Sequence, residues 1–181
     1  MNTLRLDPET LRDGDALSAE EGGLLYALVR ATKPLFCYET GTHKGVSSAY
    51  IGNALYDNGQ GTLFTADPID WGAAKNLQPL EDRVKYHQTR GVDLPVAGDI
   101  NFLFIDGFHE KAEVMAEFNY FKPHLAKDAL VVFHDLHPPN VGGDWPEGHP
   151  FPADVIGALT ELGIPFTLIP TFNRMAIYTH L

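Results

Sequence analysis

Leu35-Phe36-Cys37-Tyr38-Glu39-Thr40-Gly41-Thr42-His43-Lys44-Gly45 is an apolar run, then an acid, then two glycines four residues apart. A short apolar run of this kind reads as a strand buried on both faces, the situation of a parallel sheet. The same order returns in Leu63-Phe64-Thr65-Ala66-Asp67, in Phe102-Leu103-Phe104-Ile105-Asp106 and in Leu130-Val131-Val132-Phe133-His134-Asp135. Parallel strands bring their carboxyl ends to one edge. Four carboxylates are therefore expected to line one rim of the crevice where open α/β sheets bind ligands.

The segments between these runs read as helices. Ser18 with Glu21 fits a capping box, and Leu24, Leu25 and Leu28 follow with helical spacing until Lys33-Pro34. Val46, Tyr50, Ala54 and Leu55 mark a second helix that Asn58-Gly59 ends. Ala112, Met115, Phe118, Phe121 and Leu125 mark another, and Val155, Ile156, Leu159 and Leu162 a last one stopped by Gly163. Strands are expected at 35–39, 62–66, 84–89, 101–105 and 130–134, with a closing pair at 166–169 and 175–178 around Asn173-Arg174. The expected fold is α/β: a doubly wound, mostly parallel seven-stranded sheet with a C-terminal antiparallel hairpin and right-handed crossovers.

The 181 residues suit one domain, with residues 1–16 as a polar lead-in. The net charge of -11 argues against nucleic acid or an anionic membrane as the main partner and suits a small molecule. One cysteine, Cys37, lies inside an apolar run, so a buried thiol is expected and no intrachain disulfide can form. The N-terminal segment lacks the apolar core of a signal peptide, and no stretch has the length of a membrane span, which gives the expectation of a cytoplasmic protein. Residues 136–151, with four prolines and three glycines, are expected to form an active-site loop carrying His137, Trp145 and His149. Whether the chain forms a homo-oligomer is open at this point.

Glu39-Thr-Gly41-Thr-His43-Lys-Gly45 joins a strand to a helix. Glycines there let the backbone turn sharply against a ligand, and the helix beyond offers free N–H groups to a carboxylate or phosphate. Thr42, Ser47 and Ser48 add hydroxyls. The spacing is neither that of a P-loop nor G-x-G-x-x-G. Asp67, at the end of the neighbouring strand, has the position of an acid that accepts both hydroxyls of a ribose. The alternatives are a plain Gly-rich βα turn and an aspartate that caps a helix or ends a strand in solvent.

Taken together, these segments resemble the class I S-adenosylmethionine-dependent methyltransferases, over nearly the whole chain from about Leu24. Glu39-x-Gly41-x-x-x-Gly45 is similar to that fold's first motif and Asp67 to its ribose-binding acid. Phe104-Ile105-Asp106-Gly107-Phe108-His109, followed by Phe133-His134-Asp135, resembles the small-molecule O-methyltransferases of the catechol and caffeoyl-CoA type. It is closer still to the "IDG-x-H" relatives from antibiotic and sugar biosynthesis. The resemblance implies S-adenosylmethionine as cofactor, held by Glu39, Gly41, Thr42, His43, Gly45, Ser47 and Asp67. It implies a divalent metal, Mg²⁺ in the family, with Asp106, His134 and Asp135 at the ligand positions. It implies a small hydroxylated acceptor. The family's ligand pair after the fifth strand is acidic/amide, whereas this chain reads His134-Asp135, which shifts the preference toward Mn²⁺, Fe²⁺ or Zn²⁺. Where the family has its catalytic lysine this chain has His109, the candidate general base beside Asp106.

Each of these residues has a plainer reading: His109 as a helix cap, His134 as a buried histidine paired with a backbone group, Asp106 and Asp135 as caps. Two rival functions are a metal-dependent hydrolase built on Asp106, His109, His134, Asp135 and His137, and a nucleoside-binding module of the same fold without catalysis.

Overall fold

The computed structural model describes residues 4–13, 16–136 and 154–181. The chain order is α1 (Ala19–Thr32), β1 (Phe36–Thr40), α2 (Val46–Asn58), β2 (Thr62–Ala66), α3 (Ala73–Asn76), β3 (Val84–His87), β4 (Ile100–Ile105), α4 (Lys111–Phe121), β5 (Leu125–Phe133), α5 (Val155–Glu161), β6 (Thr167–Ile169) and β7 (Met175–Thr179). The strands form one sheet in the order β3-β2-β1-β4-β5-β7-β6. β1 to β5 run parallel to one another, and β7 is antiparallel to both β5 and β6. The direction of winding reverses between β1 and β4, and a crevice opens there at the carboxyl edge.

The long apolar runs are explained by two cores, one on each face. Along β4, Phe102 and Phe104 join the core beneath α1 and α2 with Leu25, Ile51 and Leu55, while Leu103 and Ile105 join the core beneath α4 and α5 with Phe118 and Leu159. Alternation with a period of two leaves no polar face, so the strand is apolar throughout. Cys37 is buried in the first core, and burial pushes its thiol up.

Local chemistry sets the helix ends. Ser18 Oγ accepts from the Glu21 N–H at 3.3 Å, and Glu21 Oε2 accepts from the Ser18 N–H at 2.8 Å, the reciprocal capping box. Lys33, at φ 49, closes α1 before Pro34. Gly45 and Gly59, at φ 93 and 72, bracket α2.

Several expected boundaries shift. β1 ends at Thr40, so Glu39 lies inside the strand rather than at its end. β5 begins at Leu125, five residues before the expected start, because the β4–β5 pairing continues past a register shift between Ile100 and Phe102. β5 ends at Phe133, which puts His134 just beyond it. β3 stops at His87 rather than residue 89. Pro123 turns the end of α4 into a 3-10 segment, Lys122–His124. Among the described residues, no helix is long and apolar enough to cross a membrane. The expected loop falls almost wholly outside the described residues, and His137, Trp145 and His149 with it.

Candidate active site

The first turn is built by two glycines. Gly41, at φ +82, packs its bare Cα on Asp106; a Cβ there would stand 1.9 Å from the Asp106 carbonyl oxygen. Only glycine accommodates both the left-handed backbone and the contact. Gly45, at φ +93, donates its N–H to the Thr42 carbonyl at 2.8 Å and delivers the chain into α2. His43 between them also has positive φ, and its N–H donates to Asp67 Oδ2 at 2.9 Å. Asp67 Oδ1 accepts from the Ile69 N–H at 2.9 Å. Asp67 therefore ties the two loops together, and each oxygen keeps a lone pair for a ligand. Thr42 Oγ1 shares a hydrogen bond with Thr65 Oγ1 at 2.6 Å. Trp71 stands edge-on to the His43 ring, centroids 5.3 Å apart.

These groups and the ends of β4 and β5 share one cavity of about 290 Å³. Gly41, Thr42, His43, Ser47 and Asp67 line it, as do Asp106, His109, His134 and Asp135. Glu39 and Gly45 are not on its wall, which corrects the expectation that four carboxylates share one rim. Glu39 is fully buried behind the turn, against the Ser48 hydroxyl, and its Oε1 has no hydrogen-bond partner among the described residues. Burial drives the Glu39 carboxyl up to about 7, against the pull of the Ser47, Ser48 and Thr65 hydroxyls. Inside the strand its side chain goes down into the protein, one residue short of the edge.

The reaction end of the cavity is an Asp/His cluster. His134 Nδ1 lies 2.8 Å from Asp106 Oδ1 and 3.5 Å from Asp135 Oδ1. His109 Nε2 lies 3.2 Å from both Asp106 Oδ1 and Asp135 Oδ2. Burial lowers both imidazoles, but the carboxylates win: His109 is raised, and His134 is raised well above its ordinary 6.5. Burial raises Asp106, and the two histidines more than reverse it. The His109 ring is thus engaged with two aspartates, and Glu110 rather than His109 precedes α4 as its cap residue. His134 is buried as expected, with carboxylates rather than a backbone group as partners.

One ligand atom from each of Asp106, His109, His134 and Asp135 can be chosen so that all lie within 4.8 Å of one another. Neighbouring donors around one divalent ion at about 2.1 Å stand roughly 3 Å apart, so this set fits such an ion. With Asp106, His134 and Asp135 as the ligands and His109 left beside them, two oxygens and one imidazole nitrogen suit Mn²⁺, Fe²⁺ or Zn²⁺ better than an all-oxygen set would.

Three residues at the site are missed by the sequence reading, and one of them carries a signal that could have found it. Glu21 is the capping-box acid of α1, yet its Oε2 also faces His134 Nε2 at 3.4 Å, and its Oε1 accepts from the Asn173 N–H at 2.8 Å. Burial would raise this carboxyl; His134 and the two backbone donors instead hold it at about 2. Trp71 lies in a loop with no periodic signal. Glu117 does have one: it falls on the buried stripe of α4 with Val114, Phe118 and Phe121, a place where an acid needs a reason.

The sequence profile of a methyltransferase domain matches residues 38–136, more than half of the chain. No curated protein matches the chain by sequence. Among solved structures, the O-methyltransferase from Bacillus cereus in complex with S-adenosylhomocysteine is 16% identical, with a TM-score of 0.74 over 96% of this chain and 86% of that one. The O-methyltransferase TomG from Streptomyces achromogenes, involved in tomaymycin synthesis and in complex with S-adenosylmethionine, is 23% identical, with a TM-score of 0.70 over 92% and 82%. A Podospora anserina methyltransferase bound to S-adenosylhomocysteine is 17% identical, with a TM-score of 0.73 over 96% and 85%. At such identities the likeness is one of fold, while the domain match covers both the first turn and the Asp/His cluster. The chain belongs to the methyltransferase-domain family and is a class I S-adenosylmethionine-dependent methyltransferase.

Proposed function

We propose that the protein is a single-domain O-methyltransferase that moves the methyl group of S-adenosylmethionine to a hydroxyl of a small molecule, assisted by a divalent metal. The observation that carries this reading is one cavity holding both the Gly41 turn with Asp67 and the cluster of Asp106, His109, His134 and Asp135. The first half suits a nucleoside with an amino-acid tail. The second suits activation of an oxygen. Structural neighbours named as O-methyltransferases support the choice of oxygen as nucleophile.

In this reading Asp67 accepts from the ribose hydroxyls, and Gly41 allows the sulfonium to approach the backbone. Ser47 and the N-terminus of α2 receive the carboxylate of the amino-acid tail. Asp106, His134 and Asp135 hold the metal. When bound, it supplies Lewis acidity that lowers the pKa of the acceptor hydroxyl. His109 takes the hydroxyl proton at its imidazole as the oxygen attacks the methyl carbon and the carbon–sulfur bond breaks. Orientation of acceptor and donor in the cavity supplies much of the remaining acceleration. A hydrolase using the same cluster leaves the Gly41 turn and Asp67 without a role.

The test is calorimetry with S-adenosylmethionine and S-adenosylhomocysteine, followed by methyl transfer to a panel of hydroxylated acceptors with and without Mn²⁺ or Mg²⁺. Binding of both nucleosides is expected; absence of binding at millimolar concentration removes the reading. His109→Ala is expected to lower turnover far more than nucleoside affinity, and unchanged turnover would remove His109 as the base.

A further inference from the structure

Glu21 meets the Asp/His cluster from outside, at the nitrogen of His134 that the cluster does not use. The His134 residue is 3% exposed, and its ring stands edge-on to Phe104 with centroids 6.0 Å apart. Nδ1 faces the cluster, 2.8 Å from Asp106 Oδ1 and 3.5 Å from Asp135 Oδ1. Nε2 is on the other side of the ring. It is buried without a hydrogen bond among the described residues, and Glu21 Oε2 stands 3.4 Å from it. That distance is just beyond an ordinary N–H···O bond.

Glu21 is a fixed acceptor. Its side chain is fully buried; Oε1 accepts from the Asn173 N–H and Oε2 from the Ser18 N–H, both at 2.8 Å. A carboxylate pinned from α1 and from the β6–β7 turn is not free to rotate away, and Oε2 keeps a second lone pair. The capping box of α1 uses one of these oxygens and needs no burial, so it does not account for an acid enclosed beside an imidazole.

A neutral imidazole carries one N–H and one lone pair. With the proton on Nδ1, the ring donates to Asp106 and offers nothing to an ion. With the proton on Nε2, Nδ1 offers its lone pair to an ion shared with Asp106 and Asp135. Asp106 favours the first form, and an acceptor at Nε2 favours the second. We propose that Glu21 is a positioning residue for the metal centre, its Oε2 accepting from the Nε2–H of His134 and so keeping Nδ1 as a metal donor. The proposal rests on the metal half of the reading above. It places the support of the imidazole ligand in the N-terminus of α1 and the closing hairpin, outside the strand ends that carry the ligands.

The experiment is calorimetric titration of the full chain with Zn²⁺ in the absence of nucleoside, counting the binding that Asp106→Asn with Asp135→Asn removes. In Glu21→Gln the amide nitrogen either faces Nε2, which favours the wrong form of the ring, or faces the Asn173 N–H, where two donors meet. Zn²⁺ affinity in Glu21→Gln is expected to fall by about 10- to 100-fold. Ser18→Ala loosens the helix start but keeps the carboxylate, and should leave Zn²⁺ affinity at the wild-type level. Histidine-ring NMR spectra of the Zn²⁺-loaded wild-type protein should show His134 bound through Nδ1, with a slowly exchanging proton on Nε2. A ring bound through Nε2, which needs no variant, a loss below about 10-fold in Glu21→Gln, or an equal loss in Ser18→Ala overturns the proposal while leaving the metal reading intact. Absence of Zn²⁺ binding to the wild-type protein overturns the metal reading and this proposal with it.

Discussion

Glu21→Gln isolates the charge of one buried carboxylate while keeping its shape. The wild-type group is fully buried and accepts from the Ser18 N–H and the Asn173 N–H, both at 2.8 Å, with His134 Nε2 at 3.4 Å. Despite burial, these partners hold it from an ordinary 4.5 down to about 2. A shift of that size is worth about 3 kcal/mol in favour of the charged form in the folded protein. The amide has one acceptor and one donor, so it leaves one of the two backbone N–H groups without a partner, and it cannot neutralise His134. Glu21→Gln is therefore expected to cost about 3 kcal/mol in urea unfolding at pH 7. Ser18→Ala removes only the hydroxyl that accepts from the Glu21 N–H and should cost about 1 kcal/mol. The pH dependence has a defined sign. A depressed carboxyl contributes fully above its unfolded pKa and loses that contribution as pH falls through the folded one. The gap between wild type and Glu21→Gln should thus be constant above about pH 5, shrink by about 1.4 kcal/mol at pH 3.5, and close near pH 2. A Glu21→Gln cost no larger than that of Ser18→Ala, or a gap independent of pH between 7 and 3.5, refutes the charge argument.

Gly41→Ala sets a Cβ 1.9 Å from the Asp106 carbonyl oxygen at φ +82; left-handed strain and overpacking together predict a loss of about 2–4 kcal/mol in urea unfolding. A change under about 0.5 kcal/mol would contradict the close packing of that turn on β4. Burial raises Glu117 from 4.5 to about 7, so wild-type stability relative to Glu117→Gln is expected to fall by about 3 kcal/mol as pH rises through this window, and unfolding curves that keep the same separation at pH 5 and pH 8 would sink the expectation. Saturating Mn²⁺ at about 100 times its Kd should add about 2.7 kcal/mol and raise Tm by several degrees. Asp106→Asn with Asp135→Asn should abolish the rise, and an equal rise in that double variant would place the ion elsewhere.

Why some elements are legible from the sequence and others are not follows from particular residues. Phe102-Leu103-Phe104-Ile105 needs no choice of face, because alternate residues enter two different cores and any register of burial gives the same apolar string. The start of α1 is legible because Ser18 and Glu21 satisfy each other's backbone within one turn. Asp67 and Asp106 fall at the edge because the turn follows the strand directly. Glu39 fails the same reading by a single residue: in a strand that is enough to turn a side chain from the rim into the core, and the composition of the run does not change. The early start of β5 depends on a register shift with β4, which has no signal in residues 125–129.

The meeting of Glu21 with His134 is of another kind. A capping box is a local pattern that predicts where a helix starts, and it is silent about what else the carboxylate touches. Here the second oxygen accepts from Asn173, at the β6–β7 turn, and the first faces an imidazole of the Asp/His cluster. The N-terminus of α1, the closing hairpin and the reaction end of the cavity therefore share one buried anion. An imidazole with Asp106 at 2.8 Å from Nδ1 and Glu21 at 3.4 Å from Nε2 has its ring plane fixed before any ligand arrives. It follows that stability and site geometry are not separable at Glu21. Variants there should lose folding free energy and His134 orientation together, whereas Ser18→Ala, which touches only the helix start, should lose the first alone.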